Sequence, residues 1–375
     1  MRAKRILRVI VIAVTPVLLL AACADQINLE SAATPLSLGL DLNKNDQLQY
    51  FSTTPVFSKN IKKKSSEIKI PIESLRQSKA QQDALSAGSV AGRNYQVLLL
   101  GRKMLNRSGW FPVLDVLFRD ARNTVTDRVI AVDGPVEDII YLNSNDQPLL
   151  PILLRSMIDT KTKRSETYGT TVQELHRQYY DKGVTPYIAE IKLVEKHVML
   201  KGAALLSQEC QYKMSIGSQE TVLLSIMQKQ AAPGFSLSYH MPGQKRNLPF
   251  NTDMLSFTGG KTKTKIKTGY EDGKFKFDIG IKMTVGLSEH LFDYNVAQNA
   301  KELEKQLKKL VQAQLEGLIH NFQKHEIDPI GLGVYARAHQ YRHFMNVQDH
   351  WGETLAQADI TVKAEVTIAA MGPIK

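Results

Sequence analysis

Cys23 is the residue whose chemistry is easiest to name. It follows Leu20-Ala21-Ala22 at the end of an apolar run, and small residues before a thiol suit a peptidase that cuts in front of a lipid-modified cysteine. Cys210 is then the one thiol left, so no internal disulfide is expected. His339 and His343 have the i,i+4 spacing that shares a helix face, with Asp349 and His350 close in sequence. A structural zinc needs a full tetrahedral set, and no Cys or Glu-x-x-His partner completes one. Gly259-Gly260-Lys261-Thr262 echoes the end of a phosphate-binding loop, but Leu255 stands where that loop requires its upstream glycine. His-Glu-x-x-His, Gly-x-Ser-x-Gly and Cys-x-x-Cys are absent from the sequence. No catalytic, cofactor-binding or metal-binding residue is assigned, and the chain is not expected to be an enzyme.

The residues before Cys23 decide the compartment. Arg2, Lys4, Arg5 and Arg8 precede a run over 9–22 that is apolar except for Thr15 and Pro16. This is the order of a secretory signal peptide, and the run falls short of the roughly 20 residues that span a bilayer. Its end resembles a bacterial lipoprotein lipobox. Residues 1–22 are then a signal peptide, Cys23 is the first mature residue and carries a diacylglyceryl thioether, and 23–34 is a lipidated tether. A plain signal peptide with a chance cysteine is the bland alternative. Export argues against nucleic-acid and nucleotide-dependent functions, whose partners lie on the other side of the membrane. Four of the eleven net positive charges belong to the signal peptide, leaving +7 on the mature protein. Beside an anionic membrane each well-placed basic residue adds about 1 kcal/mol of attraction; spread evenly, the same excess serves solubility.

The whole sequence has 43% hydrophobic residues, and the length beyond the signal peptide is sufficient for two or three domains. Leu36, Leu38, Leu40 and Leu42 alternate with small or polar residues, and 36–56 reads as a hairpin turning at 43–46. Residues 59–69, with Lys62-Lys63-Lys64 among serines, read as a solvated loop, and 73–87 as a helix. Apolar runs at 95–100 and 128–132 are short enough for buried strands. With helices at 110–119 and 136–142 they suggest a crossover unit and a partly parallel sheet. Thr171 caps a helix over 171–180 in the Thr-x-x-Glu pattern. Further on, 187–193, 201–206, 212–216 and 235–240 read as strands, and 218–228 as a helix with Ser218 as its cap. Lys261, Lys263, Lys265 and Lys267 share one face of a strand. That face is either simply solvated or contacts anionic lipid or an acidic subunit. After a turn at 271–274, Phe275, Phe277, Ile279, Ile281, Met283 and Val285 mark a strand with one buried face that begins an antiparallel sheet. Leu303, Leu307, Leu310, Val311, Leu315, Leu318 and Phe322 form the stripe of a long amphipathic helix over 299–325, which packs over that sheet in preference to a membrane surface. Glu304 and Lys308 have the spacing of a helical ion pair.

Several stretches, taken in order, carry a family resemblance. They are Gln96 to Lys103, Trp110 to Asp120 and Arg128 to Val132, then Lys201-Gly202-Ala203-Ala204, Asp328-Pro329-Ile330-Gly331-Leu332-Gly333, Trp351, and the alternating Ala358 to Ile368. Behind a lipobox this order resembles the Ger(x)C spore germination lipoproteins, the C subunits of nutrient germinant receptors. Family members usually begin Cys-Trp-Asp, whereas Cys23 is followed here by Ala24 and Asp25.

The resemblance implies an α+β fold of three consecutive domains, each a mixed or antiparallel sheet covered by helices, after the lipoprotein signal peptide. The boundaries expected are 35–190, 191–258 and 259–375. It also implies a membrane-anchored receptor subunit required for the response to nutrient germinants, lipid-anchored at the outer face of the spore inner membrane. Its partners would be two integral membrane subunits of the A and B type and the bilayer itself through Cys23, with no nucleic acid and no cofactor. The alternative is a solute-binding lipoprotein working with a transporter.

Overall fold

The computed structural model describes residues 32–56, 63–85, 89–90, 94–121, 123–142, 148–241, 253–290 and 296–370. The signal peptide, Cys23 and most of the tether lie outside these residues. The class is α+β. After β1 (Ala32–Ala33) come β2 (Ser37–Leu42), β3 (Leu48–Pro55), β4 (Ser65–Pro71), α1 (Leu75–Leu85), β5 (Ser89–Val90) and β6 (Val97–Gly101). Then follow α2 (Arg102–Asn106), α3 (Asp115–Arg119), β7 (Arg128–Val132), α4 (Val136–Ile140), α5 (Leu150–Thr162), α6 (Val172–Tyr180), β8 (Tyr187–Val194), β9 (His197–Leu206) and β10 (Tyr212–Gly217). One eight-stranded sheet collects these in the order β10-β9-β8-β7-β6-β2-β3-β4.

At its centre β2, β6, β7 and β8 run parallel, and that explains their apolar runs. Leu98, Leu100, Val129 and Ala131 pack on one face with Trp110, Leu114 and Leu175. Val97, Leu99, Ile130 and Val132 pack on the other with Val136, Ile139, Leu154 and Ile158. Helices cover both faces, so neither side of these strands is polar. The antiparallel flanks differ. The stretch 59–69, expected to be a loop, contributes its last residues to β4, which pairs antiparallel with β3 at the sheet edge. Its polarity is that of a half-covered edge strand.

The sheets divide differently from the expected three. Within 191–258, β9 and β10 complete the eight-stranded sheet and β11 (Ser236–His240) belongs to a second one. Among the described residues no sheet is formed by this stretch alone. Between the two sheets lies α7 (Ser218–Met227), buried along almost its whole length. It starts at Ser218, the expected cap, and is capped one residue earlier: Glu220 Oε2 accepts the Gly217 N–H at 2.7 Å, so Gly217 is the cap and Glu220 stands where a capping box needs it. Thr171 caps α6 as expected, accepting from the Glu174 N–H at 3.1 Å.

The second sheet has the order β11-β12-β13-β14, with β12 (Met254–Glu271), β13 (Lys274–His290) and β14 (Asp359–Ala370). Asp272 and Gly273 both have positive φ in the β12–β13 turn, the geometry that matches strand twist in a two-residue hairpin. The final strand joins parallel to β13, where the sequence suggested an antiparallel sheet. A parallel neighbour requires a long crossover, and α8 (Val296–Lys324) supplies it. Its stripe of Leu303, Leu307, Val311, Leu315, Leu318 and Phe322 is buried with Phe277, Ile279, Ile281 and Val285 in one core.

Helix α8 also serves the outer edge of β14, which would otherwise leave backbone groups unpaired. Gln312 donates to Val362 O at 2.6 Å and accepts from Ala364 N at 2.9 Å. Glu304, expected to pair with Lys308, accepts from Ile368 N at 2.8 Å.

Candidate functional site

The motif residues most specific in the sequence converge on one point. Asp328, 1% exposed, accepts the Gly331 N–H on Oδ1 and the Gly333 N–H and Trp351 Nε1–H on Oδ2, each at 2.8 Å. Its own carbonyl accepts from Thr185 N at 2.9 Å. Gly331 has φ 82° and opens α9 (Leu332–His339). Gly333 is glycine for want of room: a Cβ there would stand 2.7 Å from Gly183 Cα. Trp351 opens α11 (Trp351–Ala356) and meets Phe275 edge-on at 5.2 Å. One carboxylate therefore ties the turn after α8 to an indole and holds it against 183–185, the entry to β8. Burial raises the Asp328 pKa above the usual carboxylate range, against the lowering effect of its hydrogen bonds.

A second polar cluster crosses the large sheet. Arg102 and Asp133 follow directly on β6 and β7, and Glu190 lies on β8. Arg102 donates to Asp133 at 2.9 Å and to the fully buried Glu190, and its guanidinium lies 3.6 Å over the Tyr212 ring. Lys201 reaches Asp133 at 2.7 Å, and Ser215 donates to Glu190. Lys201 can do so because it is the extra residue of a bulge: Glu190 faces Gly202 while Ile191 faces Leu200. Bulges re-aim side chains in this way. Burial raises Glu190 above its ordinary pKa, whereas the Lys201 hydrogen bond lowers Asp133. Two cations balance two acids, stitching five strands together.

Beside this cluster, the carboxyl ends of β2, β6 and β7 border a cleft of about 520 Å³. Its floor is Asp41, 5% exposed. The Asp41 carboxylate crosses over Gly101, where a Cβ would be 2.1 Å away, and accepts from Val136 N at 3.0 Å and Leu42 N at 2.8 Å. Burial raises its pKa despite these donors and Lys103. The sequence did contain a signal for this arrangement. Each apolar run of the parallel sheet is followed at once by charge, namely Asp41, Arg102 and Asp133, and the carboxyl ends of parallel strands are where open α/β sheets bind ligands.

Asp127, immediately before β7, is a buried acid with one carboxylate oxygen lacking a hydrogen-bond partner. Burial raises its pKa from 3.8 to about 6, and the Thr124 hydroxyl, at 2.5 Å, opposes the shift. A raised folded-state pKa contributes stability that is complete below the unfolded value and lost as pH rises through the folded one. Asp127→Asn is therefore expected to flatten the profile between about pH 4 and about pH 7 by on the order of 2 kcal/mol. Urea unfolding at both pH values checks this; an unchanged slope would assign the pH dependence elsewhere.

The other residues nominated from sequence are not gathered. His339 ends α9, while His343 lies in a separate helix, α10 (Tyr341–Met345), so the two do not share a helix face by i,i+4 spacing. His343 instead stacks on Tyr270 at 3.8 Å. Gly259 to Thr262 is an irregularity in strand β12, not a loop. Across it the inward parity changes, from Leu255 and Phe257 to Thr264 and Ile266, leaving Lys261, Lys263, Lys265 and Lys267 all exposed. Among the described residues β11 pairs only with 254–258 of β12, so these lysines stand on an edge strand. Alternating lysine on an edge opposes pairing with a second chain. Cys210 is buried, and burial pushes its thiol pKa up. Cys23 lies outside the described residues.

Comparison with known proteins gives one consistent answer. The model described as "Spore germination protein N-terminal domain" matches residues 25–193, and the model "Spore germination B3/ GerAC like, C-terminal" matches 201–372. Spore germination protein B3 of Bacillus subtilis (strain 168) is 23% identical over 292 residues, covering 74% of each chain. Spore germination protein A3 of the same organism is 22% identical over 283 residues, covering 72% of this chain and 71% of its own. The crystal structure of the GerBC protein superposes with a TM-score of 0.57 at 18% identity, over 92% of this chain and 100% of that one, which shows a shared fold. With both matched regions in sequence order and spanning nearly all of the chain beyond residue 24, the protein belongs to the GerAC-like family of spore germination proteins.

Proposed function

We propose that the chain is the membrane-anchored lipoprotein subunit of a spore germinant receptor, required for the response to nutrient germinants. Lipid on Cys23 holds it at the outer face of the spore inner membrane, beside two integral membrane subunits of the A and B type. The observation that carries this reading is family membership together with Leu20-Ala21-Ala22-Cys23 at the end of a charged-then-apolar leader. No helix among the described residues is long and apolar enough to cross a membrane; in this reading the lipid supplies the attachment. Fixing the chain in the same plane as its partners raises their effective concentration and favours assembly without a large interface. The Asp328 and Glu190 clusters act here as architecture: they keep two sheets and their helices in a fixed relation above the anchor. A tagged chain purified from spore membranes is expected to bring two multi-span proteins with it. Recovery of the chain with neither would contradict receptor membership.

A further inference from the structure

The cleft at the carboxyl ends of β2, β6 and β7 is built as a binding site. It lies entirely within residues 41–137 and is lined by chain ends that the fold holds rigid. On one side the β2–β3 turn is locked by Asn43, whose Oδ1 accepts from Asn45 N at 2.8 Å and Gln47 N at 3.0 Å. On the other, Lys69 and Glu137 pair at 2.6 Å, and Asp41 fastens the start of α4 to the floor. Above Gly134 no atom lies within 4 Å of the position a Cβ would take, so the space there is open to an occupant. A cleft of about 520 Å³ is in the range that holds small ligands.

The charges around it are not all spent. Lys69 is neutralised by Glu137, and Arg102 by Asp133 and Glu190. Lys44 and Lys103 also line the cleft, both are exposed, and neither forms an ion pair within 4 Å among the described residues; Lys103 acts at longer range on the Asp41 carboxylate of the floor, so the two lysines exceed the one remaining acid by one charge. A larger notch of about 610 Å³, between Gln47, Pro71 and Gln81, brings only one charged side chain, Glu73, and has no comparable recognition chemistry.

We propose that this cleft binds a small organic anion, whose carboxylate or phosphate group is held by Lys44 and Lys103 and whose uncharged part fills the space over Gly134. A planar or compact anion satisfies both ammonium groups at once through charge-assisted hydrogen bonds. Asn43, fixed by its own turn, keeps the Lys44 backbone from moving away when the site is empty. The site uses neither Cys23 nor the tether, and it stands or falls separately from receptor membership.

Isothermal titration of the full chain as purified from the producing cells tests the proposal, with inorganic phosphate in one arm and succinate in the other, each to millimolar concentration. Saturable heat in either arm is expected, and the arm that gives it identifies the anionic group. Lys103→Ala is expected to weaken that binding by roughly tenfold or more. Lys309→Ala, an exposed lysine on the far-off α8, is expected to leave it unchanged. No saturable heat in either arm overturns the proposal. So does equal weakening by both substitutions, which would show diffuse charge attraction only.

Discussion

Asp328→Ala is expected to lower the unfolding free energy by about 3–5 kcal/mol, because three buried donors lose their acceptor at about 1–3 kcal/mol each. The Gly331 and Gly333 amides and the Trp351 indole would all lose their acceptor in a place where water does not replace it. A folded domain commonly has only about 5–15 kcal/mol in total. The loss should therefore appear as a large drop in the urea midpoint and as an early change in tryptophan fluorescence, since Trp351 is one of two tryptophans. Asp328→Asn should recover little of it. Oδ2 accepts from both Gly333 and Trp351, and Oδ1 accepts from Gly331, so an amide NH₂ in either position would face a donor. A cost below about 1 kcal/mol, the net worth of one ordinary hydrogen bond, would mean that Asp328 does not hold this junction.

The residues at that junction also show what a sequence can and cannot reveal. Asp328, Gly331, Gly333 and Trp351 are legible as a motif, because their types and order are unusual, but spacing alone says nothing of their meeting. Their convergence depends on α8, α10 and α11 returning the chain to the same place. Local periodicity likewise shows β13 and α8, whose buried residues repeat at two and at three to four positions. It does not show that β14 joins in parallel, since pairing direction is set by the crossover and leaves no mark on the strand itself. Polar β4 was hidden because an edge strand buries little. The α7 cap was misplaced by one residue because Ser218 is the commoner cap type, while Gly217 succeeds through the backbone and Glu220.

Sheet assignment was the hardest part to read. The punctuation at Gly183-Val184-Thr185-Pro186 suggests a boundary near 190, yet β8, β9 and β10 pair continuously across it. The strand signals there are correct, and only the partner is missing from the sequence. The same limit hid the Arg102, Asp133, Glu190 and Lys201 cluster, whose members are separated by as many as 88 residues in a single contact. The aligned charges after each parallel strand were visible, and they would have pointed to the cleft had the parallel order been in hand.

Cys23→Ala bears on function most strongly. A signal peptide cut before a diacylated cysteine leaves two acyl chains as the anchor, and each buried methylene contributes about 0.8 kcal/mol. Under the proposed anchoring, removing the thiol removes that acyl anchor, while the folded domains, which begin beyond the tether, are left intact. The +7 charge of the mature chain is a weaker, salt-sensitive attraction that cannot substitute for it at physiological ionic strength. Loss of the lipid should also impair nutrient-triggered germination, because the proposed partner subunits would no longer hold the chain through a shared anchor in the membrane.

The most direct test is fractionation of spores producing the wild-type chain or Cys23→Ala, with the mature N-terminus read by mass spectrometry. The account predicts that the wild-type chain sediments with membranes and begins at a diacylglyceryl-modified Cys23, and that the variant carries no lipid, keeps residues 1–22 uncut and slows the nutrient response. A wild-type chain that begins elsewhere, or at an unmodified Cys23, would contradict it.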